Sequence, residues 1–406
     1  MAAAATLAPA LGGMLALASA LGIGRFVYTP ILPAMAEALG LSKTAAGLIA
    51  SANFLGYLAG ALAAALPRLP GGRRARFLGA LACGAVATAA VGWADTLPAF
   101  LLLRLVGGAA SAFVLVFGSV LVLDRLARAG LDRWAALHFA GVGLGIALSA
   151  LLVDALQGAG AGWRALWLAA GAAATVAVPL AAWLVPAGEE ATAGAPPPGN
   201  EDNRTSLPRG LGLLTLCHGL FGFGYVVTAT FIVAAVRASP GLRALEGAVW
   251  LVVGLAAMPS TAGWGWAGRR LGVLPAYALA CLAAAAGVAA GGLWQSPAGA
   301  LLAAALLGGT FMGITALGFA AARALAPKQA RNSSALMTAG FGLGQVAGPL
   351  AAGRLLDATG GSFAVPSLVA AAALALAAVV AGTATGRHPD PGLWRPVTRS
   401  SKEPRP

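Results

Sequence analysis

The sequence predicts an all-α integral membrane protein with twelve transmembrane helices in two pseudo-symmetric six-helix bundles. Three observations carry this: apolar runs of membrane length, basic residues biased to one side, and an internal repeat at an offset near 200 residues. Of 406 residues, 59% are hydrophobic and 10% charged, against about 25% charged in soluble domains. Mean hydropathy is +0.84. That excludes an ordinary water-soluble enzyme and a disordered or nucleic-acid-binding chain.

Apolar stretches bounded by charges or Gly/Pro breaks fall near 8–29, 45–66, 77–94, 97–122, 134–155, 164–185, 210–236, 247–268, 272–293, 298–322, 333–353 and 362–384. Each approaches the ~20 residues that cross a hydrocarbon core. The 52 residues between Arg270 and Arg323 carry no charge. They are too long for one span, and Gln295-Ser296-Pro297 is the natural break. The runs are Ala/Leu/Gly-rich and lack the alternation of a barrel strand. Residues 1–24 contain no Lys or Arg, so they lack the basic start of a secretory signal and read as a retained first span.

Twelve spans place both ends on one side. Nineteen Lys/Arg then share that side: the loops near 67–76 and 123–133, Arg204, Arg209, Arg269, Arg270, Arg323, Lys328, Arg331 and five beyond 385. The other side has five: Lys43, Arg164, Arg237, Arg243 and Arg354. The bias predicts cytoplasmic termini and a multi-pass protein of the inner (plasma) membrane. It also accounts for the net charge of +13 without a nucleic-acid partner. Cys83, Cys217 and Cys281 lie in apolar runs with no CxxC or Cys/His pairing; no disulfide framework, metal or cofactor is expected.

Residues 186–209 form the one long polar interior segment, a linker by composition. The expected units are 1–185, the linker 186–209, 210–384 and a tail 385–406. The halves align at near-constant offset. Leu21–Val27 (LGIGRFV) matches Phe221–Val227 (FGFGYVV) at 200, Leu105–Ser111 matches Leu306–Met312 at 201, and Ala140–Gly145 matches Ala339–Gly344 at 199. A six-span repeat keeps its orientation. The axis relating the halves therefore lies along the membrane normal, and a substrate site between them near the midplane is a transporter arrangement.

These residues resemble the major facilitator superfamily over nearly the whole chain. Leu101–Ala112 (LLLRLVGGAASA) is similar to its fourth-span motif, with Arg104 at the arginine position. Pro67–Leu78, with Arg73 and Arg74, sits at the position of its basic loop, and Gly263–Gly272, with Arg269 and Arg270, is the second copy. The resemblance implies a gating role for these loops, although the acidic residue that usually precedes the arginines is missing. A narrower resemblance, to the YbfB/YjiJ-like branch, rests on Gly22–Met35, His218–Phe231, Gly308–Arg323 and Gly340–Phe363. It implies the fold, a transporter class and a monomer, and no particular substrate.

Arg25 and Arg104 are the most informative candidates. A mid-membrane arginine costs about 2.5–3.5 kcal/mol on insertion scales, so it faces a cavity or a partner. Arg25 lies 17 residues into span one, roughly 26 Å, and Arg104 seven residues into span four from the other side, roughly 10 Å. Both fall at neighbouring depths. One reading is an anion clamp for a carboxylate or phosphate. The other locks each arginine to helix carbonyls, or to Glu37 or Asp154; for Arg104 the resemblance adds proton handling. Tyr28, Asn53, Tyr57, Tyr225 and Gln345 are further substrate candidates, with interhelical hydrogen bonding as the bland alternative. Tyr225 matches Arg25 across the repeat. His138, Asp154 and His218 are weak proton-coupling candidates. The Gly141-x-Gly143-x-Gly145 and Gly340-x-Gly342-x-Gly344 runs lie mid-span and read as helix packing, not phosphate loops. Pro30 and Pro33 read as span-end punctuation or kinks; Pro259 and Pro349 read as kinks.

The expected function is secondary active transport of a small molecule, an organic anion by the arginines, through alternating access. The alternative is a proton-coupled efflux antiporter; an integral-membrane enzyme or sensor is more remote. No Walker motif is present, so ATP does not drive it directly.

Overall fold

A computed structural model describes residues 2–66, 69–185 and 208–384. The linker 186–209, apart from its last two residues, and the tail 385–406 lie outside the described residues. Among those described there is no strand, and twelve helices are long and apolar enough to cross a membrane. We number them α1 (Leu7–Leu39), α2 (Lys43–Ala64), α3 (Arg73–Trp93), α4 (Leu97–Arg128), α5 (Asp132–Gly158), α6 (Trp163–Leu184), α7 (Gly210–Ala238), α8 (Pro240–Leu271), α9 (Val273–Leu293), α10 (Pro297–Leu325), α11 (Asn332–Ala358) and α12 (Ala364–Thr383).

Local chemistry sets the boundaries. The Ser42 and Thr96 hydroxyls cap α2 and α4 by accepting from the amides of Ala45 and Ala99. Ser296 accepts from Gly299 at the start of α10, which places the break in the long uncharged run at the expected Gln295-Ser296-Pro297. Gly40 ends α1 in the left-handed conformation (φ 60°) that glycine tolerates. Helix α1 differs from expectation. It runs on to Leu39, so Pro30 and Pro33 lie inside it rather than at its end.

Within the first six spans α2 packs on α4, α3 on α4 and α6, and α1 on α5 and α6. The last six repeat this: α8 on α10, α9 on α10 and α12, α7 on α11 and α12. The two glycine runs follow the same symmetry. A Cβ at Gly141 or Gly145 would meet the α1 backbone, at Met14 and Ala18; at Gly340 or Gly344 it would meet α7, at Thr215 and Gly219. The middle glycines face the other half, Gly143 against Gly254 and Met258, Gly342 against Leu58. Small residues let helix backbones approach closely in lipid, where burial of apolar surface drives little association.

The halves meet chiefly through α2 with α11, α5 with α8 and α1 with α7. The hydrogen bonds across these seams gather toward one end. Thr29 Oγ1 donates to the Ala229 carbonyl (2.6 Å) and Ser51 Oγ to Val346 (2.8 Å). Trp250 Nε1 donates to Ser149 Oγ (3.3 Å). Asp357 accepts from the amides of Lys43 (3.1 Å) and Thr44 (2.8 Å) in the first turn of α2. Outermost, Arg237 pairs with Glu37 (2.7 Å). This is the sealed end.

Candidate functional site at the boundary between the halves

Helix α1 is broken where it approaches the boundary. Ala18–Ile23 is a π-helix and Gly24–Val27 a turn. Pro30 explains the upper part: it has no N–H for the Phe26 carbonyl and its ring crowds that oxygen. The Thr29 amide turns to Phe26 instead (3.2 Å), which deprives the Arg25 carbonyl of its usual donor four residues on. Arg104 of α4 fills the gap. Its Nη1 donates to the Gly24 carbonyl and its Nη2 to that of Arg25, each at 2.8 Å. Polar backbone freed inside a membrane must be satisfied by neighbouring helices, and a guanidinium does so with two donors in one plane.

Arg104 thus takes the carbonyl-locked geometry, with its Nε left without a partner among the described residues. It is locked to helix carbonyls, 3% exposed, with its guanidinium 5.3 Å and 5.5 Å from the ring centres of Tyr28 and Trp167. Asn53 is part of the same brace, its Nδ2 donating to the Arg104 carbonyl (2.9 Å). Tyr28 donates its hydroxyl to the Ala46 carbonyl (2.8 Å). Arg104 and Tyr28 brace α1 and Asn53 supports α4, while Arg104 Nε and Asn53 Oδ1 have no partner among the described residues.

Arg25 is different. It is 5% exposed, yet its Nε and Nη2 have no hydrogen-bond partner. The guanidinium lies 4.5 Å from the ring centre of Phe54, 4.3 Å from Tyr57 and 5.4 Å from Phe26. Such faces favour a cation without neutralising it. The expected carboxylate alternatives are placed elsewhere: Glu37 pairs with Arg237, and Asp154 is exposed at the sealed end against Gly247. Across the boundary stand Tyr225 and Gln345. Gln345 Nε2 donates to the Tyr225 hydroxyl, while Gln345 Oε1 has no partner. Arg25 is near enough for its charge to act on the phenols of both Tyr57 and Tyr225.

The second half adds rings that the sequence reading missed. Tyr225 stacks on Phe311 (5.7 Å, 4° between planes), Phe341 (5.9 Å, 7°) and Phe221 (5.0 Å, 23°). Phe26 meets Phe311 edge-on at 6.0 Å and lies 6.4 Å from Trp250. Their one available signal was rarity, since aromatics make up 7% of the chain. A narrow cleft beside Phe26 is lined by Arg25, Tyr28, Thr29, Phe54, Arg104 and Thr230 among others. A second cleft, which shares Phe26 and Ala229 with the first, is lined by Tyr225, Trp250, Phe311 and aliphatic groups. Each has room for about one water.

The remaining candidates lie apart. His138 shares a 3.1 Å hydrogen bond with Ser119 inside the first half, and His218 one of 3.3 Å with Tyr277 inside the second. Arg74 donates to the carbonyls of Ala182 (2.6 Å) and Val185 (2.9 Å), closing the end of α6. Arg73, Arg269 and Arg270 are exposed, Arg270 over the Trp266 ring. None of these four makes an ion pair among the described residues, as the missing acidic residue foretells.

Residues 17–382 match the family described as uncharacterised MFS-type transporter YbfB. The chain belongs to this family. It is therefore a multi-pass membrane transporter of the major facilitator type and not an enzyme. No curated protein matches it. Its fold is similar to crystal structures of the nucleoside transporter NupG, at a TM-score of 0.68 and 14% identity over 95% of this chain and 100% of that one. A NupG mutant gives 0.69 and 13%, over 92% and 99%. A bacterial homologue of the human lysosomal transporter Spinster, in an inward-facing and unoccupied conformation, gives 0.65 and 16%, over 95% and 97%. At such identities the likeness speaks for the fold alone.

Proposed function

We propose that this transporter carries a small organic anion by alternating access, and that Arg25 is the group that binds the anion. One observation carries the reading: a buried guanidinium at the seam between the halves whose Nε and Nη2 have no partner, and which pairs with no carboxylate, among the described residues. An uncompensated buried charge is costly, and a ligand carboxylate or phosphate offsets that cost with charge-assisted hydrogen bonds. The basic bias of the loops supports cytoplasmic termini in an inner membrane. In that orientation the sealed end faces outward and this conformer is inward-facing. Transport then requires the contacts from Thr29–Ala229 to Arg237–Glu37 to part as the other end closes. The two halves, 1–185 and 210–384, are the moving units and 186–209 the tether.

The test is saturable uptake of small organic anions against matched cations in proteoliposomes, with wild type and Arg25→Gln. Anion flux in the wild type, with loss of at least a hundredfold in the variant, is expected. Full retention in a correctly inserted Arg25→Gln protein would remove Arg25 from the site.

A further inference from the structure

We infer that the transported anion carries a flat aromatic ring, seated between the two halves where Phe26 now divides the site. The inference rests on the anion reading of Arg25 and adds to it the chemistry of the rest of the ligand. Phe26 lines both clefts. The cleft that Arg25 lines holds two guanidinium groups, the hydroxyls of Thr29 and Thr230, and the rings of Tyr28 and Phe54. The second cleft holds no charged residue and three further aromatic side chains, Tyr225, Trp250 and Phe311.

Phe26 follows Arg25 directly, so one short stretch of broken helix presents a cation and a ring to two unlike compartments. A ligand with a carboxylate next to an apolar body matches that division over the same short distance. The body is a ring because the walls already accept one. Phe311 receives Phe26 edge-on (69°) while stacking flat on Tyr225 (4°), and Trp250 meets Phe26 at 58°. Aromatic rings prefer these edge-on and offset-stacked arrangements. Neither cleft admits a ring as it stands, so binding requires Phe26 to swing aside and the ligand ring to take over its contacts with Phe311 and Trp250. Phe26 sits in the irregular segment Gly24–Val27 just before Tyr28, so its movement is a change of side-chain rotamer on a backbone that hydrogen bonds hold in place.

The experiment compares benzoate, cyclohexanecarboxylate and benzylamine as ligands of the purified full-length protein. Thermal shift over a range of ligand concentrations gives affinity. Wild type, Arg25→Gln and Phe311→Leu are used. Benzoate is expected to bind wild type three- to tenfold more tightly than cyclohexanecarboxylate, the worth of an aromatic pair. Both acids are lost in Arg25→Gln. Phe311→Leu removes the preference for benzoate over cyclohexanecarboxylate.

If the two acids bind equally and both depend on Arg25, the ring inference is overturned and the anion reading stands. Benzylamine binding in place of the acids, or benzoate binding untouched by Arg25→Gln, overturns the anion reading beneath it. Wild-type protein that melts cooperatively and binds no benzoate overturns the ring inference. Should Phe311→Leu fail to fold, the two acids on wild type decide alone.

Discussion

Helices α1 and α7 occupy equivalent places in the two halves and differ where it matters for transport. The offset of 200 pairs Thr29 with Ala229, and these residues touch each other in a hydrogen bond; Glu37 and Arg237, also 200 apart, form an ion pair. The pseudo-two-fold axis therefore passes between α1 and α7. Along that axis Arg25 faces the register of Tyr225, and Pro30 that of Thr230. Thr230 keeps its N–H, and α7 runs unbroken from Arg209 to Ala238. Pro30 lacks one, and α1 breaks. At the offset of 201 in spans four and ten, Arg104 corresponds to Ala305; the half with the break has the brace. The two halves share a symmetric frame and differ within it at Arg25 and Tyr225, Pro30 and Thr230, and Arg104 and Ala305.

The largest effect is expected from erasing the first of these differences. Arg25→Tyr gives the first half the residue of the second. It should lower anion transport by at least a hundredfold in proteoliposomes, while membrane insertion persists and the melting temperature holds. Substantial anion flux in this variant would show that the asymmetry at this position is incidental to transport.

Next in size is the brace. Arg104→Ala strips two carbonyls of their donors inside the membrane. A buried group left unsatisfied costs about 1–3 kcal/mol, so a loss of several kcal/mol and a clear fall in melting temperature are expected. Pro30→Thr restores the N–H found in the other half and with it the path to a continuous helix. The comparison sharpens in a double-mutant cycle: Arg104→Ala should cost less in the Pro30→Thr background, because the carbonyls regain helix partners. Additive losses would mean that Arg104 acts on something other than the break.

These cases mark how much was legible beforehand. Twelve spans, the break at Ser296 and the repeat follow from apolar length, turn chemistry and register, all local properties, and the structure shows each of them. Arg25 was legible as a charge without a nearby partner. For Arg104 a lock to helix carbonyls was legible as one of two readings; which carbonyls it meets was not, because that depends on a proline in another helix. Phe311 and Phe341 escaped notice because spacing along a uniformly apolar helix does not say which face meets the other half. The Glu37–Arg237 pair was within reach: the same offset that aligned the motifs sets these two side by side on the axis.

A smaller effect separates the two middle glycines. A Cβ at Gly143 would lie 2.6 Å from the Gly254 carbonyl and the Met258 amide, all backbone; at Gly342 it would meet the Leu58 side chain at 2.8 Å. Leucine can change rotamer and backbone cannot. Gly143→Val should therefore part the α5–α8 seam and shift the protein away from the sealed conformer, seen as a longer distance between spin labels across that end. Gly342→Val should do the same only weakly. Equal shifts would mean that the α2–α11 seam is as rigid as the α5–α8 seam.

The smallest effect is expected at the rim. Asp357 of α11 accepts from two amides in the first turn of α2, an interaction that the dipole of α2 favours and that links the halves only while the sealed end is shut. It is exposed, so water competes for the same amides. Asp357→Asn keeps one acceptor oxygen and loses the charge. It should change the fraction of sealed conformer by a few-fold at most, and less at high salt, where the charge is already screened. The helix partners are fixed by the deeper contacts from Ser51 to Thr29, so the variant should leave anion affinity at Arg25 unchanged. A large shift from Asp357→Asn would move the principal latch from the interdigitated seam to the rim, and the glycine contacts would then be fillers rather than the lock.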